Sequence, residues 1–169
     1  YSVSLSDDGS TVAIGAPRHD PGGTRKGYVR IFQKDSFGQW SKIGDNIYGE
    51  AAYDEYGGSV SLSGDGSTVA IGAIKNDGNG NNSGHVRVFK NISGTWNKLG
   101  DDIDGEAADD YSGRSISLSE DGSVLAIGAN GNDDNGNNSG HVRVFQYTGT
   151  WTKLGDDIDG ESDHDHTGA

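Results

Sequence analysis

Across residues 59–63, Val60 and Leu62 alternate with serines. A period of two predicts a half-buried strand, its apolar side packed and its serine side facing away. Gly64-Asp65-Gly66-Ser67 follows and predicts a tight turn, since glycine supplies the positive φ that a hairpin needs. The run 68–73 is almost wholly apolar and reads as a strand buried on both faces. After a polar loop at 75–83, alternation resumes at 84–90. Val86 and Val88 point one way, and His85, Arg87 and Phe89 the other. Residues 91–94 turn the chain again. A fourth strand runs from Thr95-Trp96 to about Ile103, and a loop over 104–113 leads onward. No stretch has a 3.6-residue period, so the pattern predicts almost no helix.

The same pattern occurs three times. Asp-Gly pairs recur at Asp8-Gly9, Asp65-Gly66 and Asp121-Gly122, and Gly-Ala pairs at Gly15-Ala16, Gly72-Ala73 and Gly128-Ala129. Single tryptophans stand at Trp40, Trp96 and Trp151, and across all these landmarks the spacing is 55 to 57 residues. The chain therefore reads as one repeat domain, 1–169, with units of about 1–57, 58–113 and 114–169. Four-stranded antiparallel units strung head to tail predict an all-β, β-propeller-type array of three blades. A β-solenoid is the other repeat architecture, but its coils are usually shorter than this period. One tryptophan per unit is expected to pack between blades or over an outer edge. Propellers carry about four to eight blades. Three blades thus imply a fragment of a larger ring, closed by further blades of the same chain or by other chains. The sequence also starts and stops within its own repeat, which points to a piece of a longer protein. An unpartnered blade face and free edge strands are expected in isolation.

The motif Tyr56-Gly57-Gly58-Ser59-Val60, followed by Val69-Ala70-Ile71-Gly72-Ala73 and Gly84-His85-Val86-Arg87-Val88-Phe89, resembles the FG-GAP repeat. The first unit has Gly15-Ala16-Pro17 itself, with Gly27-Tyr28-Val29-Arg30-Ile31-Phe32 behind it. That repeat builds the seven-bladed propeller of integrin α-subunits and related surface proteins. The resemblance covers the whole chain and implies an extracellular or cell-surface location and about seven blades. It is specific for fold and unspecific for function. Members often carry a calcium loop, DxDxDGxxD, between the first and second strands. Here that turn is only Asp7-Asp8-Gly9-Ser10, Gly64-Asp65-Gly66-Ser67 or Glu120-Asp121-Gly122-Ser123, too short to wrap an ion, so that site is not carried over. Ile74 and Asn130 replace the proline of the GAP motif in the later units.

Composition narrows the functional classes. The net charge is −13, which argues against nucleic acid and anionic membrane partners and suits divalent cations, cationic partners or plain solubility. There is no cysteine, hence no disulfide framework or thiol chemistry, and no apolar run long enough to span a bilayer. Only 31% of residues are hydrophobic and 29 are glycine, which excludes a large helical core. Regular alternation and tryptophans in register argue against disorder.

Strand order alone places the second-to-third and fourth-to-first loops at one end of the array, and most acidic and amide-rich sequence lies in them. There Asp77, Asn79 and Asn81 fit D-x-N-x-N, as do Asp133, Asn135 and Asn137. Alternating oxygens in a glycine-rich loop can converge on calcium, the one cofactor the sequence suggests. The same residues also serve a polar turn whose Asn, Asp and Gly supply backbone geometry. Asp101, Asp102, Asp104, Glu106, Asp109 and Asp110, or Asp156, Asp157, Asp159 and Glu161, could add ligands. The first unit, His19-Asp20-Pro21-Gly22-Gly23-Thr24, lacks the pattern. Asp54, Asp110 and Asp165 each precede a glycine by three residues and are expected to cap a turn. Asp163-His164-Asp165-His166 looks like a metal cluster but reads rather as a divergent, flexible tail, and His85 and His141 as sheet-surface residues. Asn81-Asn82-Ser83, Asn91-Ile92-Ser93 and Asn137-Asn138-Ser139 fit the N-glycosylation acceptor pattern.

No nucleophile has a base beside it in sequence, and repeated loops offer the same residues in each unit, whereas an active site needs different residues converging once. The expected function is a non-enzymatic extracellular binding or adhesion module with a protein or glycan ligand. The alternatives are a scaffold propeller of a secreted enzyme and a structural surface component.

Overall fold

A computed structural model describes residues 2–19 and 25–169. It contains three antiparallel sheets and, among the described residues, no helix. The first sheet comprises β1 (Ser2–Leu5), β2 (Thr11–Ala16), β3 (Tyr28–Lys34), β4 (Trp40–Lys42) and β5 (Ile47–Tyr48). The second comprises β6 (Ser59–Leu62), β7 (Thr68–Ala73), β8 (His85–Ile92), β9 (Thr95–Lys98) and β10 (Ile103–Asp104). The third comprises β11 (Ser115–Leu118), β12 (Val124–Ala129), β13 (His141–Tyr147), β14 (Trp151–Lys153) and β15 (Ile158–Asp159). Each is a four-stranded propeller blade, and the ring is not closed.

The expected single fourth strand is split into two short pieces. Both β9 and β10 pair with β8, with residues 99–102 between them. Gly100 there has φ +78°, which breaks the ladder; Gly44, at φ +68°, does the same in the first blade. The third strand also runs further than expected, because Ser93 and Gly94, at φ 52° and 86°, make a two-residue hairpin that keeps Asn91 opposite Trp96.

Alternation sorts each strand of the central blade between two cores. Val60, Leu62, Val69 and Ile71 pack with Ala13, Val29 and Ile31 of the first blade. Ala70, Val86 and Val88 pack with Leu118, Leu125 and Ile127 of the third. Strand β7 is buried at every position, as expected, whereas β2 and β12, each with a described neighbour on one side, are partly exposed. Val3, Leu5 and Ile14 lie on the uncovered face of the first blade, Val3 being 70% exposed.

Where a next blade follows, the serine side of the first strand does not face solvent. It is the other interblade face, and its hydroxyls bond across to the next blade. Ser4 Oγ accepts from Leu62 N at 2.9 Å and Ser61 Oγ from Leu118 N at 3.0 Å. Ser59 Oγ donates at 2.6 Å to the carbonyl of Gly113, which leads into β11 and whose amide bonds Gly128 O of the third blade. The backbone there comes so close that a Cβ on Gly72 would lie 2.5 Å from Gly113 O. Gly15 against Gly57, which leads into the second blade, repeats this contact, and Gly128 against Gly168 has the same geometry at the end of the third blade.

The tryptophans pack between blades, as expected. Trp96 Nε1 donates to Ile43 O of the first blade at 3.1 Å and Trp151 Nε1 to Leu99 O of the second at 2.8 Å. Each indole lies over the glycine of the preceding split strand, so that a Cβ on Gly44 or Gly100 would come within 2.8 or 2.9 Å of it. Trp40 has no such neighbour among the described residues and is 46% exposed. Trp96→Ala and Trp151→Ala are therefore expected to cost about 2–3 kcal/mol each, somewhat below a fully buried aromatic. Trp40→Ala should cost less than about 0.5 kcal/mol. Urea denaturation of the three variants checks this contrast between identical side chains.

Candidate functional site

The loop after the second strand and the loop after the fourth meet at one end of each blade and are joined by backbone hydrogen bonds. In the second blade Asp109 N donates to Asn81 O at 2.8 Å, Tyr111 N to Asn82 O at 3.1 Å and Ser112 N to Ser83 O at 2.9 Å. In the third blade His164, His166 and Thr167 donate to Asn137, Asn138 and Ser139 in the same way. The two histidines of the C-terminal stretch thus occupy the same turn as Asp109 and Tyr111. They are not a divergent tail, and their rings sit 6.1 Å apart.

The capping role expected for the recurrent aspartates holds. Asp54, Asp110 and Asp165 accept from Ala51 N, Ala107 N and the Glu161 and Ser162 amides. Asp54 and Asp110 are buried and take a second donor that sequence reading missed, the amide of Asn76 or Asn132. That asparagine is itself buried and accepts from the backbone two residues on. Its signal was present as an Asn at the same place in two loops. Each cap is flanked by residues at positive φ: Tyr53 and Glu55, Asp109 and Tyr111, His164 and His166. Such backbone is strained for residues other than glycine, and the cap and cross-loop bonds hold it.

The six residues read as candidate calcium ligands divide into two sets, three per loop. Asp77 Oδ1 accepts from Asn82 N at 2.8 Å and Asp133 Oδ1 from Asn138 N at 2.6 Å. Asn79 donates its amide to the carbonyls of Gly105 and Glu106, and Asn135 to that of Gly160. Asn81 and Asn137 have exposed side chains, and their carbonyls serve the cross-loop bonds. Residues Asp20 to Thr24, the first unit's version of this loop, lie outside the described residues. At the opposite end, the short Asp-Gly turns spend their carboxylates internally. Asp65 takes Ser63 Oγ at 2.7 Å and Ser67 N at 2.9 Å, and bonds from Ser119 and Ser123 hold the Asp121 carboxyl down at about 2. Oxygens spent this way do not fit the family's calcium loop.

Between the blades lie clefts edged by the tryptophans. The one between the first and second blades, about 490 Å³, is lined by Trp96, Phe89, Tyr48, Glu50 and Arg87. Its counterpart beside Trp151, about 240 Å³, includes Arg143, Phe145 and Asp102. His85 and His141 are buried at 2% and 0% exposure, against the surface position expected of them. They share the alternation of Phe89, which points into an interblade core, so the strand pattern already carried their burial. Desolvation, reinforced by Arg87, pushes the His85 pKa down.

Arg87 is buried too. It pairs in bidentate fashion with Asp102, at 2.9 and 2.7 Å, and reaches Glu50 of the first blade.

The FG-GAP repeat profile matches residues 49–89 and 102–145, just over half of the chain. The chain belongs to the FG-GAP repeat family. FG-GAP repeats are typical of extracellular or cell-surface proteins and are generally non-catalytic. Among solved structures, one from Bacteroides uniformis, provisionally named a 6-phosphogluconolactonase, is similar with a TM-score of 0.54 at 18% identity. The likeness covers 94% of this chain and 40% of that one, and shows the propeller fold alone. No curated protein matches the chain.

In this FG-GAP array the Asp102 pair offers a pH test. Burial opposes its ionisation, but hydrogen bonds from Arg87 and Lys98 outweigh burial and hold its carboxyl down at about 2. A depressed carboxyl stabilises the fold fully above its unfolded value of about 3.9 and loses that effect as pH falls toward about 2. Asp102→Asn should cost about 2 kcal/mol at pH 7, the range for a hydrogen bond to a charged group. Chemical denaturation should show the gap to wild type closing between about pH 4 and 2.

Proposed function

We propose that this chain is a non-enzymatic binding module at the cell surface or outside the cell, which meets a protein or glycan through its loop-bearing end. The observation that supports this reading most is the coupling of two loops per blade into one rigid unit, repeated in the second and third blades. Binding gains when a surface is ordered before its ligand arrives, because less entropy is lost on association. Repetition at blade spacing suits a ligand that itself repeats, such as a glycan chain or an extended peptide, since linked contacts reinforce one another. Asp77, Asp101, Asp104, Glu106, Asp133 and Asp159 stud this part of the chain, which favours a ligand carrying positive charge or one bridged by cations. Calcium is the ion such oxygen-rich loops would take.

Glycan-array and pull-down binding test the reading with variants in which residues 77–82 and 133–138 are replaced by Gly-Ser loops. The expected result is binding by the native chain, loss in the double loop variant, and weakening as salt rises. Binding untouched by the loop exchange would contradict it. Hydrolysis of a phosphosugar lactone, abolished by the same exchange, would replace it with an enzymatic reading. Calorimetry separates the calcium question: heat from added calcium should vanish in Asp77→Ala with Asp133→Ala.

A further inference from the structure

We propose that Glu106, Asp134 and His141 form a site for a divalent transition-metal ion, such as zinc, that clips the second blade to the third. His141 lies on β13 with no exposed surface, and neither of its ring nitrogens has a hydrogen-bond partner among the described residues. Nδ1 points at Glu106, 3.9 Å from its Oε2. Asp134, in the loop before β13, completes the group, with all three ligand atoms within 4.8 Å of one another. An unpartnered buried imidazole is costly, and a metal ion is one of the few partners that two facing carboxylates would also accept.

The spacing is workable. Zinc holds nitrogen and oxygen donors at about 2.0–2.2 Å, which sets tetrahedral donors roughly 3.4 Å apart. The observed group is somewhat wider. Glu106 and Asp134 are exposed, so a modest rotation of either side chain can bring its carboxylate inward, while His141 stays in the sheet. One imidazole and two carboxylates are a donor set for zinc or its first-row neighbours, with a water in the fourth position. Arg143 Nη1 lies 3.4 Å from Glu106 Oε1, so the arginine steadies one carboxylate oxygen while the other faces the histidine.

The preceding blade interface shows why this site belongs to one interface. There Glu50, His85 and Asp102 also come within 4.8 Å of one another. Arg87 already binds both of those carboxylates and serves as the cation. Tyr56 packs edge-on to His85, and Gly78 stands where the third blade has Asp134. At the second interface Ser112 replaces Tyr56. Arg143 turns toward it and toward Asp104 O, at 3.3 and 2.8 Å, leaving Glu106 Oε2 to face the histidine. The site thus arises from two departures from the repeat, Asp for Gly and Ser for Tyr.

The test is calorimetric titration of zinc into the 169-residue chain after chelator treatment and dialysis, with the His141 ring nitrogens followed by NMR. One equivalent should bind, shift a His141 nitrogen resonance and raise the unfolding midpoint. Asp134→Asn and Glu106→Gln, both at exposed positions, should each weaken binding at least about tenfold. Circular dichroism confirms that these variants fold. Absence of zinc binding by the native chain would overturn the proposal. So would binding unchanged in both variants, or binding lost instead in His164→Ala with His166→Ala.

Discussion

The close approach of neighbouring blades at their first strands is the constraint on which the rest depends. At Gly72 against Gly113 the backbones approach too closely for any side chain, and the serine beside them reaches across to bond the neighbouring blade. A single four-stranded sheet of this size has two faces to cover and few apolar residues with which to do it. In the central blade each face is covered by a copy of itself, and the polar groups at the seam are matched in the same step. Leaving a buried backbone amide unpaired costs about 1–3 kcal/mol, more than a good hydrogen bond contributes net. The hydroxyls of Ser4 and Ser61 thus matter chiefly because they prevent that loss at Leu62 and Leu118.

The second staple lies at the far end of the sheet. Gly44 and Gly100 split the fourth strand and leave a flat spot, and the next blade's indole occupies it. The two staples hold each interface at both ends, with the valines and isoleucines filled in between. What remains free is the loop-bearing end, whose backbone is held in strained conformations by aspartate caps, two of them buried against an asparagine. The apolar sheets thus fix the distance between loops, and the loops carry whatever specificity the array has.

Most of the fold was legible in the sequence because it is written three times. Strand positions, turns, and the packing of Trp96 and Trp151 between blades all followed from alternation and recurrence. Two features were not. The serine side of strands such as 59–62 looked solvent-facing, since alternation reveals two faces but not that both are covered. The split of the fourth strand rests on a glycine whose neighbour comes from another repeat, and no local pattern displays that contact. His85 and His141 were misplaced for another reason: the alternation they share with Phe89 and Phe145 aligned them with an interblade face, but their polarity suggested the surface. The caps at Asp54, Asp110 and Asp165 were readable because a short polar side chain bonding nearby amides is a local event. Their asparagine partners also recur in two loops, but nothing local ties them to aspartates 22 residues away.

Hydrogen exchange at individual amides tests the central claim most directly. If blades are joined by serine hydroxyls, the Leu118 amide, bonded to Ser61 Oγ of the preceding blade, should exchange slowly in the native chain. Ser61→Ala should then release Leu118 while the amides within β12 and β13 keep their protection. Rapid exchange at Leu118 in the native chain, or protection indifferent to Ser61, would contradict the account.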